Sequence, residues 1–242
     1  MQSFTQYSPT EIVFGREAQK EAGKMAKKWG ASRVLLVYGG GSAVKSGLLK
    51  EIEELLAAEE IAYDELGGVK PNPRLSLARE GVEKAIAFQA DLILAVGGGS
   101  VIDTAKAIAV GAYVPGTDIW DIWMGKVPLV GALPVGAVLT ISAAGSETSD
   151  SAVITNQETG KKAGVNSDLV RPKFALMNPE LTYTLPKYQL ACGITDILMH
   201  TLERYFTPVT GNELTDEIAE GLMRTVIRNG RKAYETRWII RL

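Results

Sequence analysis

The sequence is poor in the two side chains that build most metal and disulfide sites. Its 242 residues include one cysteine, Cys192, and one histidine, His200. A single cysteine excludes an internal disulfide and is typical of a reducing compartment, so we expect a cytoplasmic protein. A single histidine excludes a metal site built from several imidazoles of this sequence alone.

A strong charge of either sign, a leader segment and an uninterrupted apolar helix are also missing. The net charge is -2, so we expect neither nucleic acid nor a membrane as a partner. Residues 1–6 lack a basic segment followed by an apolar one, which argues against a signal peptide. Residues 127–146 are uncharged and long enough to span a bilayer, but their prolines and glycines favour buried strands joined by tight turns.

The first half of the sequence alternates apolar runs with amphipathic helical patterns. Three short apolar runs predict strands at Val34–Val37, Ile61–Leu66 and Leu92–Val96. This alternation predicts an α/β fold with a parallel sheet covered by helices on both faces. The helical patterns that follow the strands have apolar positions at Leu48, Ile52 and Leu55, at Ala78, Val82 and Ala85, and from about Val101 onward.

The pattern changes in the second half. Four short segments predict strands without long helices between them, at 129–133, 151–155, 161–165 and 174–177. From Pro186 the apolar period becomes that of helices, so we place a boundary between sheet and helices near Asn178-Pro179. The apolar positions are Leu190, Ile194, Ile197, Thr201 and Tyr205 in one helix, and Leu214, Ile218, Leu222 and Val226 in the next.

Two predicted strands end in glycine runs that begin helices. One run is Gly39, Gly40 and Gly41 with Ser42, and the other is Gly97, Gly98 and Gly99 with Ser100. Glycine lets backbone N–H groups approach a phosphate, and the helix behind adds partial positive charge. A tight turn explains either run alone, whereas two runs at strand ends favour a nucleotide. Neither run has the third glycine of the dinucleotide fingerprint, so the pattern does not name the nucleotide.

The residues that follow the predicted strand Val34–Val37 bear on the choice between NAD and NADP. Sites for NAD usually hold the ribose 2′-OH with a carboxylate at this position. Here Tyr38 and the glycines follow Val37, with Ser42 and Lys45 nearby, which leaves room for a 2′-phosphate. We therefore predict NADP in preference to NAD.

His200 follows Asp196 by four residues in a predicted helix. Residues at this spacing lie on one helix face, so a carboxylate and an imidazole could bind the same divalent metal ion. On spacing alone, a hydrogen-bonded pair without a metal is the commoner arrangement, and a catalytic metal usually needs about three protein ligands. Asp168, Glu203, Glu213 and Asp216 are further donors, but nothing in the sequence selects one of them.

Five segments together resemble the iron-containing (group III) alcohol dehydrogenases, close to their branch of NADPH-dependent butanol dehydrogenases and aldehyde reductases. The resemblance extends from the N-terminus to about Ala233. It implies a Rossmann-like dinucleotide-binding domain over residues 1–179 and an incomplete helical metal-binding domain over 180–242. The five segments are 68–73 (GVKPNP), 97–106 (GGGSVIDTAK), 144–147 (AGSE), 178–186 (NPELTYTLP) and 196–203 (DILMHTLE).

The resemblance also implies a reaction and the residues that carry it. A nicotinamide cofactor would exchange hydride with a primary alcohol or aldehyde, while Fe²⁺ or Zn²⁺ at Asp196 and His200 would bind the substrate oxygen. The second glycine run would surround the pyrophosphate. Further cofactor contacts are expected at Asn72, Asp103, Thr140, Ser142, Lys162, Leu181, Thr182 and Leu185. Lys106 and Lys162 are both candidates for cofactor contact, but solvation is expected unless the cofactor engages them, because surface exposure is the default for lysine.

The sequence departs from the family at its C-terminal end. Family members have two further metal-binding histidines downstream, and residues 234–242 no longer follow the family pattern. We expect a C-terminally truncated member, whose metal content and activity stay open. One alternative is a truncated nucleotide-binding protein without a complete metal site or catalysis. Another is a metal-dependent cyclase or glycerol-phosphate dehydrogenase of the same architecture, which fits segments 144–147 and 178–186 less well. Because family members are often dimers, a homodimer is an open expectation.

Overall fold

The computed structural model describes residues 5–208 and 211–236 of the chain. The strands of this part are β1 (Glu11–Phe14), β2 (Arg33–Gly39), β3 (Ala62–Val69), β4 (Leu92–Gly97), β5 (Val135–Leu139), β6 (Ser151–Asn156), β7 (Lys161–Asn166) and β8 (Phe174–Met177). Six of them form a parallel sheet in the order β1-β8-β5-β4-β2-β3, and β6 pairs with β7 in an antiparallel ribbon.

Helices connect most of these strands and continue beyond the last one. Short 3₁₀ turns lie at Ala18–Glu21, Asp168–Val170 and Pro179–Thr182. The α-helices are α1 (Ala22–Lys28), α2 (Ser42–Lys45), α3 (Leu48–Ala58), α4 (Leu75–Phe88), α5 (Gly99–Tyr113), α6 (Ile119–Trp123), α7 (Lys187–Tyr205) and α8 (Glu213–Thr236). None of the helices in the described ranges is long and apolar enough to cross a membrane.

The middle of the sheet is buried on both faces, as the apolar runs predict. All six residues of β4 are buried. Because successive side chains of a strand point to opposite faces, Ile93 packs with Ile102 and Ile108 of α5, while Leu92 and Leu94 fill the other face. The predicted α/β class with a parallel sheet is confirmed.

One predicted strand is wrong. Residues 129–133 are irregular, and the strand lies later, at β5. Pro134 separates the two stretches and has no N–H to donate, although its carbonyl accepts a 2.9 Å hydrogen bond from the N–H of Ile93. Leu129 is partly buried and packs against the apolar cluster that includes Trp123 and Ile154, which accounts for an apolar residue here without a strand.

The chain divides into two compact units. One contains the described residues up to Leu139 together with Ser146–Asn178, and the other contains Thr140–Gly145 together with the described residues from Pro179 onward. The short loop Thr140–Gly145 therefore groups with the helices, although the sequence places it among the strands. Of the divergent stretch 234–242, residues 237–242 lie outside the described part of the chain.

In the second unit, α7 and α8 pack closely at one point and leave an apolar row exposed. A Cβ atom on Gly230 would lie 2.8 Å from Cγ2 of Ile194, so glycine permits the close approach. The predicted helical period of α8 is correct. However, Leu214, Ile218 and Leu222 are 76%, 63% and 46% exposed, so this row is not part of a core within the described residues.

Candidate functional site

The two glycine runs lie at the carboxyl ends of adjacent strands. Strands β2 and β4 pair from Val34 opposite Leu92 to Tyr38 opposite Val96. From β2 the chain proceeds to β3 on one side, and from β4 it proceeds to β5 on the other side. The direction of winding therefore switches between β2 and β4, and ligands of open α/β sheets bind outside the strand ends at such a point.

The first glycine run forms an exposed turn between β2 and α2. Gly41 has a φ of 130°, a conformation that side chains with a Cβ rarely adopt. Gly40 is exposed, and a Cβ there would meet nothing within 4 Å. Ser42 and Lys45 are exposed as well. The turn thus presents backbone groups, a hydroxyl and a cation, with no carboxylate from Tyr38 to Ser42.

The second glycine run leads into the 15-residue helix α5, whose N-terminus has no side-chain cap. The carbonyl of Gly98 accepts hydrogen bonds from the N–H groups of Val101 at 2.9 Å and Ile102 at 3.1 Å. A Cβ on Gly97 would lie 2.5 Å from Cγ2 of Val101, so this position requires glycine. Free N–H groups and the helix dipole make the Gly98–Ser100 turn suited to a phosphate.

Two other predicted cofactor residues come together in the first unit. The Lys162 ammonium on β7 donates a hydrogen bond to Oδ1 of Asn72 at 3.0 Å. A backbone hydrogen bond of 2.8 Å from Thr155 to Pro73 joins the β6–β7 ribbon to the turn that contains Asn72. Both Asn72 and Lys162 are exposed, so a cation and an amide are available to a ligand.

Asp103, which the sequence also assigns to the cofactor, has both carboxylate oxygens engaged by the protein. Oδ1 accepts a 2.7 Å hydrogen bond from the Ser146 hydroxyl, and Oδ2 accepts one of 3.1 Å from the Val153 N–H. Burial raises the pKa of this carboxyl, and the Ser146 hydrogen bond opposes that shift. The geometry points to a role in holding the protein chain.

Lys106 is buried completely, which corrects the expectation that it is solvated. Its ammonium donates to three carbonyl oxygens, those of Ser146, Ser149 and Ser151, at 2.8, 2.9 and 2.7 Å. Burial lowers its pKa from 10.5 to about 8, although the charge of Asp103 opposes this. Its burial could have been inferred from its position in the sequence, three residues after Asp103 and among the apolar residues of α5.

The remaining predicted cofactor residues belong to the second unit. Thr140 and Ser142 lie in the loop Thr140–Gly145, and a Cβ on Gly193 of α7 would lie 2.6 Å from the Ser142 carbonyl oxygen. Leu181 and Thr182 lie in the 3₁₀ turn before α7. The N–H of Leu185 donates to the Thr182 carbonyl at 3.1 Å. The predicted cofactor residues are therefore divided between the two units.

The predicted metal ligands are neighbours on α7. Nε2 of His200 lies 3.7 Å from Oδ1 of Asp196, and the two side chains are 40% and 44% exposed. An imidazole nitrogen and a carboxylate oxygen are suitable donors for Fe²⁺ or Zn²⁺. Within residues 5–208 and 211–236, no group of three His, Cys, Asp or Glu side chains could hold a metal ion. The pair fits a metal by donor type, as two of the roughly three protein ligands that a catalytic metal usually has.

Comparison with known proteins gives one family. The family model for iron-containing alcohol dehydrogenases matches residues 9–179. The NADH-dependent butanol dehydrogenase A of Clostridium acetobutylicum is 44% identical over 97% of this chain and 60% of its own length. The NADPH-dependent aldehyde reductase YqhD of Escherichia coli is 39% identical over 96% of this chain and 60% of its own length.

A solved structure agrees with these relatives. The crystal structure of the NADH-dependent butanol dehydrogenase A of Thermotoga maritima superposes with a TM-score of 0.94 at 42% identity. The match covers 99% of this chain and 61% of that one. The chain thus spans about 60% of the length of the curated relatives it matches.

Proposed function

This chain belongs to the iron-containing alcohol dehydrogenase family, and we propose that it binds NADP(H) for the interconversion of primary alcohols and aldehydes. The observation that carries the proposal is the pair of glycine turns on adjacent strands at the point where the winding switches. When bound, the reduced nicotinamide would supply a hydride to the carbonyl carbon of an aldehyde, and solvent would supply the proton for the oxygen. Relatives named as butanol dehydrogenases support a small primary alcohol as the substrate.

The proposed cofactor contacts follow from the chemistry that each turn presents. N–H groups at Gly97, Gly98, Gly99 and Ser100 would receive the pyrophosphate. Gly39, Gly40, Gly41 and Ser42, with Asn72 and Lys162, would receive the adenosine side. Thr140, Ser142, Leu181, Thr182 and Leu185 are proposed for the nicotinamide side.

NADP is proposed over NAD on one feature of the first glycine turn. No carboxylate lies between Tyr38 and Ser42, and the nearby Glu65 accepts a 3.0 Å hydrogen bond from the Tyr38 hydroxyl. A carboxylate engaged in this way is less available to a ribose 2′-OH, whereas Lys45 offers a positive charge to a 2′-phosphate. One relative is named for NADH and another for NADPH, so the affinities of this protein for the two cofactors must be measured directly.

Asp196 and His200 are proposed as two ligands of the family's metal. The metal would be Fe²⁺ or Zn²⁺, and a complete site requires at least one donor beyond the described residues. We therefore assign no step of hydride transfer to a metal held by this chain alone. The second candidate function is a nucleotide-binding protein without catalysis.

A titration combined with metal analysis tests the proposal. Purified protein is titrated with NADPH and with NADH, its iron and zinc content is measured, and butanal reduction is followed by loss of reduced nicotinamide. We expect binding of both cofactors, with NADPH binding more tightly. Binding without metal and without turnover would support the second candidate function, and absence of binding would overturn both.

Cellular location and assembly are proposed on separate grounds. The single cysteine, Cys192, suits a reducing compartment, so we propose the cytoplasm. A homodimer is proposed from the family, and light scattering of the purified protein measures it directly.

A further inference from the structure

The fully buried ammonium of Lys106, a residue of helix α5, binds one chain segment through hydrogen bonds. Lys106 donates to the carbonyl oxygens of Ser146, Ser149 and Ser151 and to the Ser146 hydroxyl, which lies 3.2 Å from its Nζ. All four acceptors belong to Ser146–Val153, hereafter the clamped segment. An ammonium has three protons to donate, and here every one has an oxygen within reach.

Asp103 binds the same segment one helical turn earlier. Its two oxygens accept from the Ser146 hydroxyl and the Val153 N–H, at 2.7 and 3.1 Å. Residues three apart lie on the same helix face, so Asp103 and Lys106 act side by side. Together they make six hydrogen bonds to the two ends and the middle of the clamped segment.

Packing alone does not require these two charges. A buried ammonium is costly unless carbonyls or a carboxylate replace its water, and a methionine of similar length would pack against the same neighbours without that cost. The charged pair adds directional hydrogen bonds, which fix the position of each backbone group that they contact. The arrangement therefore specifies the position of the clamped segment as well as covering apolar surface.

The order of the strands indicates which part of a bound dinucleotide this segment would affect. The proposed pyrophosphate turn follows β4, and the proposed adenosine turn follows β2. Strand β5 lies on the other side of β4, so the nicotinamide end of an extended dinucleotide would point toward the end of β5. The chain leaves β5 at Leu139 and reaches the clamped segment at Ser146.

We propose that Asp103 and Lys106 are positioning residues for the nicotinamide end of the bound dinucleotide, acting through the clamped segment. The proposal rests on the dinucleotide binding proposed above. It assigns no contact with the cofactor to either side chain. It also explains why Asp103, expected at the cofactor, has both oxygens occupied by protein groups.

The test compares the whole cofactor with its adenosine half. Wild-type protein and a Lys106→Met variant are titrated with NADPH and with 2′,5′-ADP, and the emission of the reduced nicotinamide is recorded. We expect the variant to bind NADPH about tenfold more weakly and to lose the change in emission on binding, because backbone oxygens of the segment lose their donor. Affinity for 2′,5′-ADP should stay within about twofold. Lys126→Met, at an exposed lysine paired with Asp121, is the matched control and should behave as wild type.

Ser146→Ala is a second variant in case Lys106→Met does not fold. It removes the hydroxyl that lies between Oδ1 of Asp103 and Nζ of Lys106 but keeps both charges, and we expect the same selective loss at smaller size. Unchanged NADPH affinity and emission in the variants would overturn the inference. So would an equal loss for both ligands, which indicates general structural damage. If wild-type protein binds neither ligand, the proposed function fails and the inference fails with it.

Discussion

The ammonium of Lys162 donates a hydrogen bond to the side-chain oxygen of Asn72 across 90 residues of sequence. Asn72 has a φ of 58°, a left-handed conformation that asparagine tolerates better than most residues. The pair therefore joins a strained turn after β3 to the largely exposed strand β7. A cation held in this way is available to a negatively charged ligand.

Replacement of Lys162 by methionine should weaken NADPH binding about tenfold, because a charge-assisted contact to a phosphate or ribose is lost. The dependence of binding on salt should decrease as well. Titrations at two ionic strengths measure both effects. Lys161→Met is a control on the same strand, since its side chain points to the opposite face and is also exposed. Equal losses in the two variants would contradict the assignment of Lys162.

Replacement of Gly97 by alanine should destabilise the fold by about 1–3 kcal/mol, the usual cost of overpacking. The added Cβ would lie 2.5 Å from Cγ2 and 2.8 Å from Cβ of Val101, so the turn or α5 must move. Urea unfolding measures the change. Gly40→Ala is the control, because its Cβ would meet nothing within 4 Å, and stability should hold or rise by about 0.5–1 kcal/mol. A neutral Gly97→Ala would show that the turn relaxes freely.

The free energy of unfolding should acquire a pH dependence from Lys106. Its folded pKa is about 8 and its unfolded pKa is 10.5. Between these values the unfolded state binds more protons, so the contribution of Lys106 to stability rises with pH, by at most about 1.4 kcal/mol per pH unit. Below pH 8 lysine is charged in both states, and the contribution is constant. Charges of Asp103, Asp150, Glu147 and Arg171 also act on this group.

Unfolding of wild type and Lys106→Met from pH 7 to 10.5 isolates that contribution, because other lysines and tyrosines titrate in both proteins. The difference in stability, wild type minus variant, should increase above pH 8. A difference that is flat with pH would mean that the three carbonyls keep the ammonium charged in the folded state throughout this range.

Removal of either predicted metal ligand should abolish most of the divalent-ion binding of this chain. We expect Zn²⁺ to bind wild-type protein, and Asp196→Ala or His200→Ala to weaken that binding by roughly tenfold or more. Calorimetry at fixed pH gives the affinities. Cys192→Ser should leave them unchanged, because the exposed Cys192 is no part of the pair. Loss of binding in Cys192→Ser would make the thiol a third ligand.

Local signals in the sequence predicted the centre of the sheet correctly and missed what depends on distant contacts. Strand β4 is apolar at every position because both of its faces are buried, and this is visible in sequence. The stretch 129–133 is apolar as well, but only part of it packs against the cluster that includes residues of α6 and β6, which no local pattern reveals. Edge strand β1 was missed because its exposure alternates over four residues only.

For the candidate site, too, local features were predictable from sequence and features that depend on distant contacts were not. The glycine runs and the i, i+4 spacing of Asp196 and His200 are local, so their residues could be named in advance. That β2 and β4 are neighbours, and that the winding switches between them, depends on strand pairing over some sixty residues. The burial of Lys106 requires carbonyls from 40 to 45 residues away, so its identity as a lysine favoured the wrong expectation.

The loop Thr140–Gly145 belongs to the helical unit, although sheet residues flank it on both sides in the sequence. The chain therefore passes between the units after Leu139, after Gly145 and after Asn178, and no single cut separates them. A fragment that ends at residue 178 would keep this loop but lose Gly193, against which the Ser142 carbonyl packs. Dissection of the protein into independently expressed parts should remove residues 140–145 and bridge Leu139 to Ser146 with a flexible linker.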